Sequence, residues 1–418
     1  VSHDLKVLAD NREALLLAEI AAWLHMIGKL HKNFLCGDYS MDIKIPEEVK
    51  EDFPAVYRLL TTRTPNWTGK VWATLPYKTE LRGGGLTIEE LIRRHRPPNR
   101  KHEGFIQLLQ DAHGRGSGTE KGILNRFALD HINSVYLSTA LGYETLIKIE
   151  DINKAYSPPP QDSLYNFLQN KLDELENKKA KLGFEGWAEF RRGFLYLIKS
   201  YFRRTVAETR RPFNDITLFD QTAVTVAFFK AALAEVLLAG WKDPSEEEIE
   251  KRYHWRLMQV SLNSFEFWRN STRISDILAR RELVSKALNQ VQTLLEVTYP
   301  LAFEVYRDEN GSFFVIPDIL DLPDYSDSKM LLTQHIEEIA KKELAGEAKF
   351  HFLPPSQRTR DTLLFGAQIT EILPEPAPKP SWVKDQWSET VGDLCPVCGL
   401  RPQGPNKKAF DRKVPPVK

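Results

Sequence analysis

A chain of 418 residues is long enough for two or three domains, each with its own core. Lysine plus arginine and aspartate plus glutamate number 57 each, so no global charge draws the protein to a polyanion, and any nucleic-acid surface must come from local clustering. Three cysteines, Cys36, Cys395 and Cys398, exclude a disulfide framework and suit a reducing compartment. The apolar run near Leu15 is too short and too broken by charge for a membrane span. It also lacks the cationic start and small-residue cleavage site of a signal peptide. These features set the expectation of a cytoplasmic protein with no membrane partner.

Helical patterning is predicted over residues 12–35, where Leu16, Ile20, Trp23, Ile27 and Leu30 share one apolar stripe. Ala21 lies one turn before His25 and Gly28 one turn after it. Small neighbours leave that imidazole room to reach a metal ion or a phosphate, and Lys29 can bring a cation to the same pocket. The plainer alternative is a buried histidine in an amphipathic helix. A loop-rich insert follows from Cys36 to Gly85, punctuated by Pro46, Pro54, Pro65, Pro76 and the Gly83–Gly85 run. Leu86–Arg94 reads as a short helix capped by Thr87 with Glu90 three residues on. Residues 93–102, RRHRPPNRKH, form the most basic segment of the chain. A solvated loop accounts for such a run, and so does a phosphate-binding one.

A further helix begins near Phe105, and three glycines, Gly114, Gly116 and Gly118, are predicted to end it. The segment after His131 reads as extended, and Ser157-Pro158-Pro159-Pro160 as a linker. From Leu164 to Trp241 the pattern is helical. Asp215 is the expected N-cap of an almost wholly apolar helix over Thr217–Leu238, which should be deeply buried. Ser245 caps another helix, with Glu246, Glu247 and Glu248 in its first turn. Helical pattern returns from Arg273 to Val297. At Leu301 the period changes to that of strands, and Asn310-Gly311 between two β-rich runs signals a hairpin. A helix over Ser328–Leu344 and a strand over Lys349–Leu353 complete part of a small antiparallel-sheet α+β domain of ferredoxin-like type. PEPAPKP, residues 374–380, is an extended linker.

Two kinds of motif bear on chemistry. Cys395-Pro396-Val397-Cys398-Gly399 is a zinc-knuckle turn that supplies half of a four-ligand site. Arg-Arg pairs recur at 93–94, 191–192, 203–204, 210–211 and 280–281, each read as a solvated helix face and together as a local basic surface. No Ser-His-Asp arrangement stands out, and the Gly83–Gly85 turn lacks the strand and Gly-Lys-Ser context of a phosphate cradle.

Several of these stretches, in this order, resemble the large subunit of type III CRISPR RNA-guided effector complexes, most closely the type III-D branch. They are His25-Met26-Ile27-Gly28-Lys29, Leu108–Gly118, Thr209–Asp220 (TRRPFNDITLFD), Tyr306–Asp318 (YRDENGSFFVIPD) and Asp393–Arg401 (DLCPVCGLR). The resemblance implies a mainly α N-terminal HD-like helical domain over residues 1–155 and a helical middle region over 156–299. A ferredoxin-like α+β palm would occupy 300–375, with a linker and half a zinc ribbon over 376–418. It implies a subunit that caps the assembly and binds the 5′ end region of the guide CRISPR RNA and neighbouring effector subunits. Another subunit would then cleave the target RNA.

The candidate RNA contacts are Arg93, Arg94, Arg96, Arg100, Lys101, Arg210 and Arg211, and the candidate zinc ligands are Cys395 and Cys398. The departures from the family pattern point away from catalysis. Met26 stands where the HD signature has aspartate, and His113 stands where the second HD segment has another, with Asp111 two positions early. His25, His113, Asp111 and His102 are thus the degenerate remainder of an HD site. A thioether cannot replace a carboxylate for a hard divalent ion, so no divalent metal is expected there. The second palm with its Gly-Gly-Asp-Asp is missing, no adjacent Asp-Asp pair occurs, and the chain reads as C-terminally truncated. The alternative is a metal-dependent HD-type single-stranded DNase with rearranged ligands.

Overall fold

A computed structural model of the protein describes residues 4–26, 29, 104–121, 134–137, 146–148, 184–205, 207, 213–214, 216–239, 254–269, 271, 273–318, 326–327 and 330–353. The expected insert, the basic run, both proline-rich linkers, the Ser245 helix and the Cys395–Cys398 turn lie outside these residues.

The chain enters through α1 (Lys6–Asp10) and α2 (Arg12–Leu24), and α3 (Gly104–Lys121) follows. Strands β1 (Ser134–Leu137) and β2 (Leu146–Lys148) come next, then α4 (Phe184–Phe202), β3 (Phe213–Asn214) and α5 (Leu218–Ala239). The three short strands form one small sheet in the order β2-β1-β3, the first pair antiparallel and the second parallel. The extended segment expected after His131 is β1.

Helix α5 is the axis of the helical layer. Its sequence, LFDQTAVTVAFFKAALAEVLLA, is apolar on nearly every side, as expected, and residues from Leu218 to Leu238 are mostly buried. By length and composition alone it is a candidate membrane span. Its apolar surface is met instead by α2, α3 and the second sheet. The cap differs from the expected Asp215, which lies outside the described residues. Thr217 takes that role: its hydroxyl donates to Asp220 Oδ2 (2.7 Å) and accepts from the Asp220 N–H (3.3 Å).

The expected end of α3 is also corrected. The helix runs through Gly114, Gly116 and Gly118 to Lys121. The reason is packing. A Cβ on Gly116 would lie 2.7 Å from Thr225 Oγ1 and 3.3 Å from the Thr225 backbone nitrogen, so the glycine lets α3 press onto α5. The conformational cost of glycine in a helix, roughly 0.5–1 kcal/mol, is offset by that close approach.

The second sheet holds β4 (Trp255–Ser261), β5 (Phe303–Asp308), β6 (Gly311–Pro317) and β7 (His351–Leu353) in the order β5-β6-β4-β7, every neighbour antiparallel. Between β4 and β5 come α6 (Ser264–Arg269) and α7 (Ile274–Thr293), and between β6 and β7 comes α8 (Leu332–Glu343). The unit therefore runs β-α-β-β-α-β, counting α6 and α7 as one crossover. The sequence pattern foretold the long crossover helix and the last four elements but not the first strand. WRLMQVS, read within a helical stretch, is β4, a central strand paired over its whole length with β6. A short apolar run of this kind has no period that separates a strand from a buried helix segment.

The Asn310-Gly311 hairpin is present. Gly311 has φ +149°, and a Cβ there would lie 2.2 Å from the Val260 carbonyl oxygen, so glycine is required. Helix α7 ends in a π-turn over Leu294–Thr298, whose last carbonyls accept from the Arg12 guanidinium: Nε to Val297 O at 2.8 Å and Nη2 to Thr298 O at 2.8 Å. That contact ties α2 to the sheet unit. Arg115 on α3 adds a second tie, its guanidinium lying 5.4 Å from the centre of the Trp255 ring on β4.

Candidate functional site

The site grows from the end of α2. REALLLAEIAAWL is rich in alanine, leucine and glutamate, strong helix formers, and α2 stops at Leu24. His25 is therefore the C-cap rather than a mid-helix residue, its N–H donating to Ala21 O at 3.0 Å. Its ring is 1% exposed, and the Nδ1–H donates to the Ala22 carbonyl. That bond fixes the tautomer and leaves Nε2 as an acceptor. Nδ1 of His113, from the middle of α3, lies 3.1 Å from His25 Nε2, with the two rings edge to face at 87°. His113 sits three residues before Gly116, so the close α3–α5 contact also sets its depth.

The other candidates are placed differently. Met26 is 2% exposed and part of the apolar core. Asp111 is paired within its own helix, one carboxylate oxygen 2.7 Å from Arg115 Nε. Lys29 is 7% exposed, and its ammonium donates to Ala207 O (2.6 Å) and Gln221 Oε1 (2.5 Å) rather than serving the expected pocket cation role. His102, Arg93, Arg94, Arg96, Arg100, Lys101, Arg210, Arg211, Cys395 and Cys398 lie outside the described residues.

Two imidazole nitrogens 3.1 Å apart are spaced like adjacent ligands of one ion, since each would stand at about 2.0–2.1 Å from it. A resident metal needs at least a third protein ligand. Among the described residues no three His, Cys, Asp or Glu side chains converge on one point, so those residues do not complete a ligand set. What the pair does offer is a part-buried donor–acceptor couple.

A polar cluster with every side chain buried lies further back on α2. Glu19 of α2 accepts from Arg191 of α4 (Nη2 to Oε1, 2.7 Å) and from Lys230 of α5 (Nζ to Oε2, 2.6 Å). Arg191 also meets Glu296 in the π-turn (2.7 Å), and Lys230 donates to the Glu296 carbonyl at 2.8 Å. Glu296 Oε1 accepts from the Glu304 N–H on β5 at 2.6 Å. All four side chains are less than a tenth exposed, and their formal charges sum to zero. Burial works to raise the Glu19 carboxyl, but the Arg191 and Lys230 charges outweigh it and hold the group below the usual carboxylate range.

This cluster corrects one reading of the arginine pairs. Arg191 is not on a solvated face, and neither is Arg280, which pairs with Glu347 at 2.6 Å and donates to Phe267 O at 2.7 Å. Their sequence neighbours Arg192 and Arg281 are exposed. The signal available beforehand was isolation. Glu19, Lys230 and Glu296 are single charges inside apolar runs, and such charges are stable only when paired.

No family model matches the chain, and no curated protein matches it. It is similar to chains in several solved structures. One is a crystal structure of a Csm1–Csm4 cassette in complex with cA4, at 15% identity and a TM-score of 0.42, covering 82% of this chain and 44% of that one. A second, the cassette in complex with AMPPNP, gives 15% identity and 0.42, covering 82% and 45%. A third, in complex with pppApApA, gives 16% identity and 0.43 over the same shares as the second. The chain thus spans less than half the length of the solved chains it is similar to.

Proposed function

We propose that the protein is the large subunit of a type III, III-D-like CRISPR RNA-guided antiviral effector complex in the cytoplasm. In this reading residues 1–155 contribute an HD-like helical domain and the β-α-β-β-α-β unit is a ferredoxin-like palm. The subunit caps the assembly, and Arg93, Arg94, Arg96, Arg100, Lys101, Arg210 and Arg211 hold the 5′ end region of the guide RNA. Neighbouring subunits pack against it, and one of them cleaves the target RNA. Cys395 and Cys398 supply two thiolates to a zinc ion. The HD centre, lacking carboxylates at Met26 and His113, is a structural remnant.

One observation carries the reading. His25 and His113 come from two motifs that the resemblance pairs, 88 residues apart in sequence, and they meet at 3.1 Å. The Csm1–Csm4 cassettes are assemblies of two different chains; our reading, which rests on this chain's motifs and topology, also gives it a partner. The test is the native mass and RNA content of the particle that copurifies with the protein. A multi-subunit particle carrying guide RNA is expected. A bare monomer without RNA, or a complex that assembles on guide RNA equally well without this chain, would overturn the proposal.

The imidazole pair favours one second reading, a metal-dependent single-stranded DNase with a rearranged ligand set. It requires Mn- or Ni-stimulated cleavage that disappears in His25→Ala. Under the first reading wild type and variant are equally inert.

A further inference from the structure

Helix α4 has two faces with opposite electrostatics. Its inner face buries Trp187, Phe190, Phe194 and Ile198 and carries Arg191 into the neutral cluster. Its outer face presents Arg192, Tyr196, Lys199 and Arg203 at i, i+4, i+7 and i+11, one straight stripe about 16 Å long. Arg203 continues the helix by one residue, its N–H donating to Lys199 O at 3.2 Å. All four are exposed, Tyr196 at 76%.

Among the described residues none of the three cations forms an ion pair. Lys199 and Arg203 rest instead on the Phe219 ring, 5.8 and 5.5 Å from its centre, so an aromatic face orients them without neutralising them. Burial and the Arg203 charge lower the Lys199 pKa, with Asp220 opposing, as expected where like charges are crowded. Arg204 is exposed beside them. The carboxylates nearby are Asp220, bonded to Thr217, and Glu189, one turn before Arg192. Complementing the helix dipole accounts for Lys199, Arg203 and Arg204 at the C-terminus. It accounts for neither Arg192 nor Tyr196, which lie mid-helix.

We propose that the Arg192–Tyr196–Lys199–Arg203 ridge is a binding site for single-stranded nucleic acid, its cations holding the phosphodiester backbone and Tyr196 stacking on a base. Cations that track a strand and an exposed aromatic between them are the elements of sequence-tolerant single-strand recognition. Two other anionic partners fit less well. A membrane-surface helix needs an apolar face for the lipid, and that of α4 is already spent on the core. An acidic peptide would satisfy the cations but has no use for the phenol. The ridge shares no residue with those assigned above to guide RNA and does not depend on that reading.

The test uses the full chain and fluorescein-labelled oligo(U) and oligo(dT) of about twenty nucleotides, read by anisotropy between about 50 and 200 mM salt. Arg192→Gln/Lys199→Gln/Arg203→Gln is expected to weaken binding at least tenfold and to flatten the log–log salt slope by about 2, near 0.7 per lost phosphate contact. Tyr196→Ala should weaken it about tenfold with the slope unchanged, and Tyr196→Phe should restore it. Arg273→Gln/Arg281→Gln, exposed on α7, should change neither quantity. Thermal melts matching wild type establish that each surface variant is folded.

Comparing oligo(U) with oligo(dT) assigns the strand to RNA or DNA. Unchanged affinity and slope in the triple variant, or a wild-type chain that binds neither oligonucleotide, overturns the proposal. So does dependence on the ridge for anionic phosphatidylserine vesicles alone. Displacement by polyglutamate with Tyr196→Ala silent would give the ridge to an acidic protein segment and equally overturn it. A wild-type chain that binds oligonucleotide through the ridge but never enters an RNA-bearing particle upholds this site and sinks the function proposed above.

Discussion

Glu19 lies within α2 and His25 caps that helix six residues later, and each anchors a polar cluster, the first buried and the second part-buried, with a different kind of balance. Around Glu19, two carboxylates and two cations from four separate elements satisfy one another, and charge is conserved within the cluster. Around His25, two imidazoles share one hydrogen bond, and the nearest sequence candidates for balancing a cation are a core methionine and an aspartate already paired with Arg115. A closed cluster of the first kind holds elements in register and has nothing left to offer a ligand. A pair of the second kind is hydrogen-bonded but, among the described residues, has no carboxylate of its own to balance an ion. The difference separates what locks the fold from what is left of a site.

The sharpest way to break the comparison is Arg191→Leu. The guanidinium bridges Glu19 and Glu296, so its loss leaves two buried carboxylates with Lys230 alone. Removing one partner of a buried pair typically costs about 3–5 kcal/mol, which denaturant titration of the purified chain would read directly. Replacing Glu19, Arg191, Lys230 and Glu296 together by apolar residues of similar volume should cost far less, because no uncompensated charge remains.

The same cluster has an acid signature. The folded Glu19 carboxyl lies below its unfolded value, so the stability it contributes is fully present above about pH 4.3 and is lost as pH falls through the lower, folded value. His351 on β7 acts in another window. Burial, with the charge of Lys349, depresses its pKa to about 4, so the unfolded state alone binds a proton between about pH 6.5 and 4, and stability falls on acidification across that range. His351→Asn should flatten the upper window and leave the lower one. Stability measured at intervals from pH 7 to 3 separates the two, and a single featureless decline in both proteins would contradict the assignment.

Much of this frame was legible from periodicity alone. The apolar helix at 217–238, the Asn310-Gly311 hairpin and the helix and strand after it all follow from local patterns that tertiary packing did not override. Three features were not legible, for three reasons. Strand β4 is a short buried run whose residues suit either state. Gly116 reads as a helix stop because the demand for a bare Cα comes from Thr225 on another element, more than a hundred residues away in sequence. Arg191 and Arg192 are adjacent letters with opposite environments, and only the helical phase of α4 tells them apart. The His25–His113 meeting was implied by the resemblance, while its shape depended on α2 stopping at Leu24.

A smaller effect is expected where the comparison depends on packing alone. Gly116→Val drives a branched side chain into Thr225 and its backbone, and overpacking of this kind costs about 1–3 kcal/mol. Because His113 rides on the same helix, the variant should also part the two imidazoles while leaving the Glu19 cluster intact. Gly114→Val is the control, since a Cβ there meets nothing within 4 Å; it should show only the loss or gain of helix propensity. Equal destabilisation by both substitutions would mean that α3 does not depend on close approach to α5.

The smallest expected term is the imidazole couple itself. A double-mutant cycle with His25→Ala and His113→Ala isolates its coupling from the separate costs of the two cavities. A single neutral hydrogen bond contributes about 0.5–1.5 kcal/mol, and the coupling should fall in that range at pH 7.5, where an unperturbed imidazole is neutral. Repeating the cycle with a saturating soft divalent ion turns the measurement into a question about function. If the described residues hold all the ligands on offer, the coupling stays where it was. If His102 or another group from outside them completes a site, the ion stabilises wild type and neither single variant, and the coupling rises by RT ln(1 + c/Kd), where c is the free ion concentration. That rise would move the His25 cluster from remnant to metal centre and overturn the contrast with Glu19.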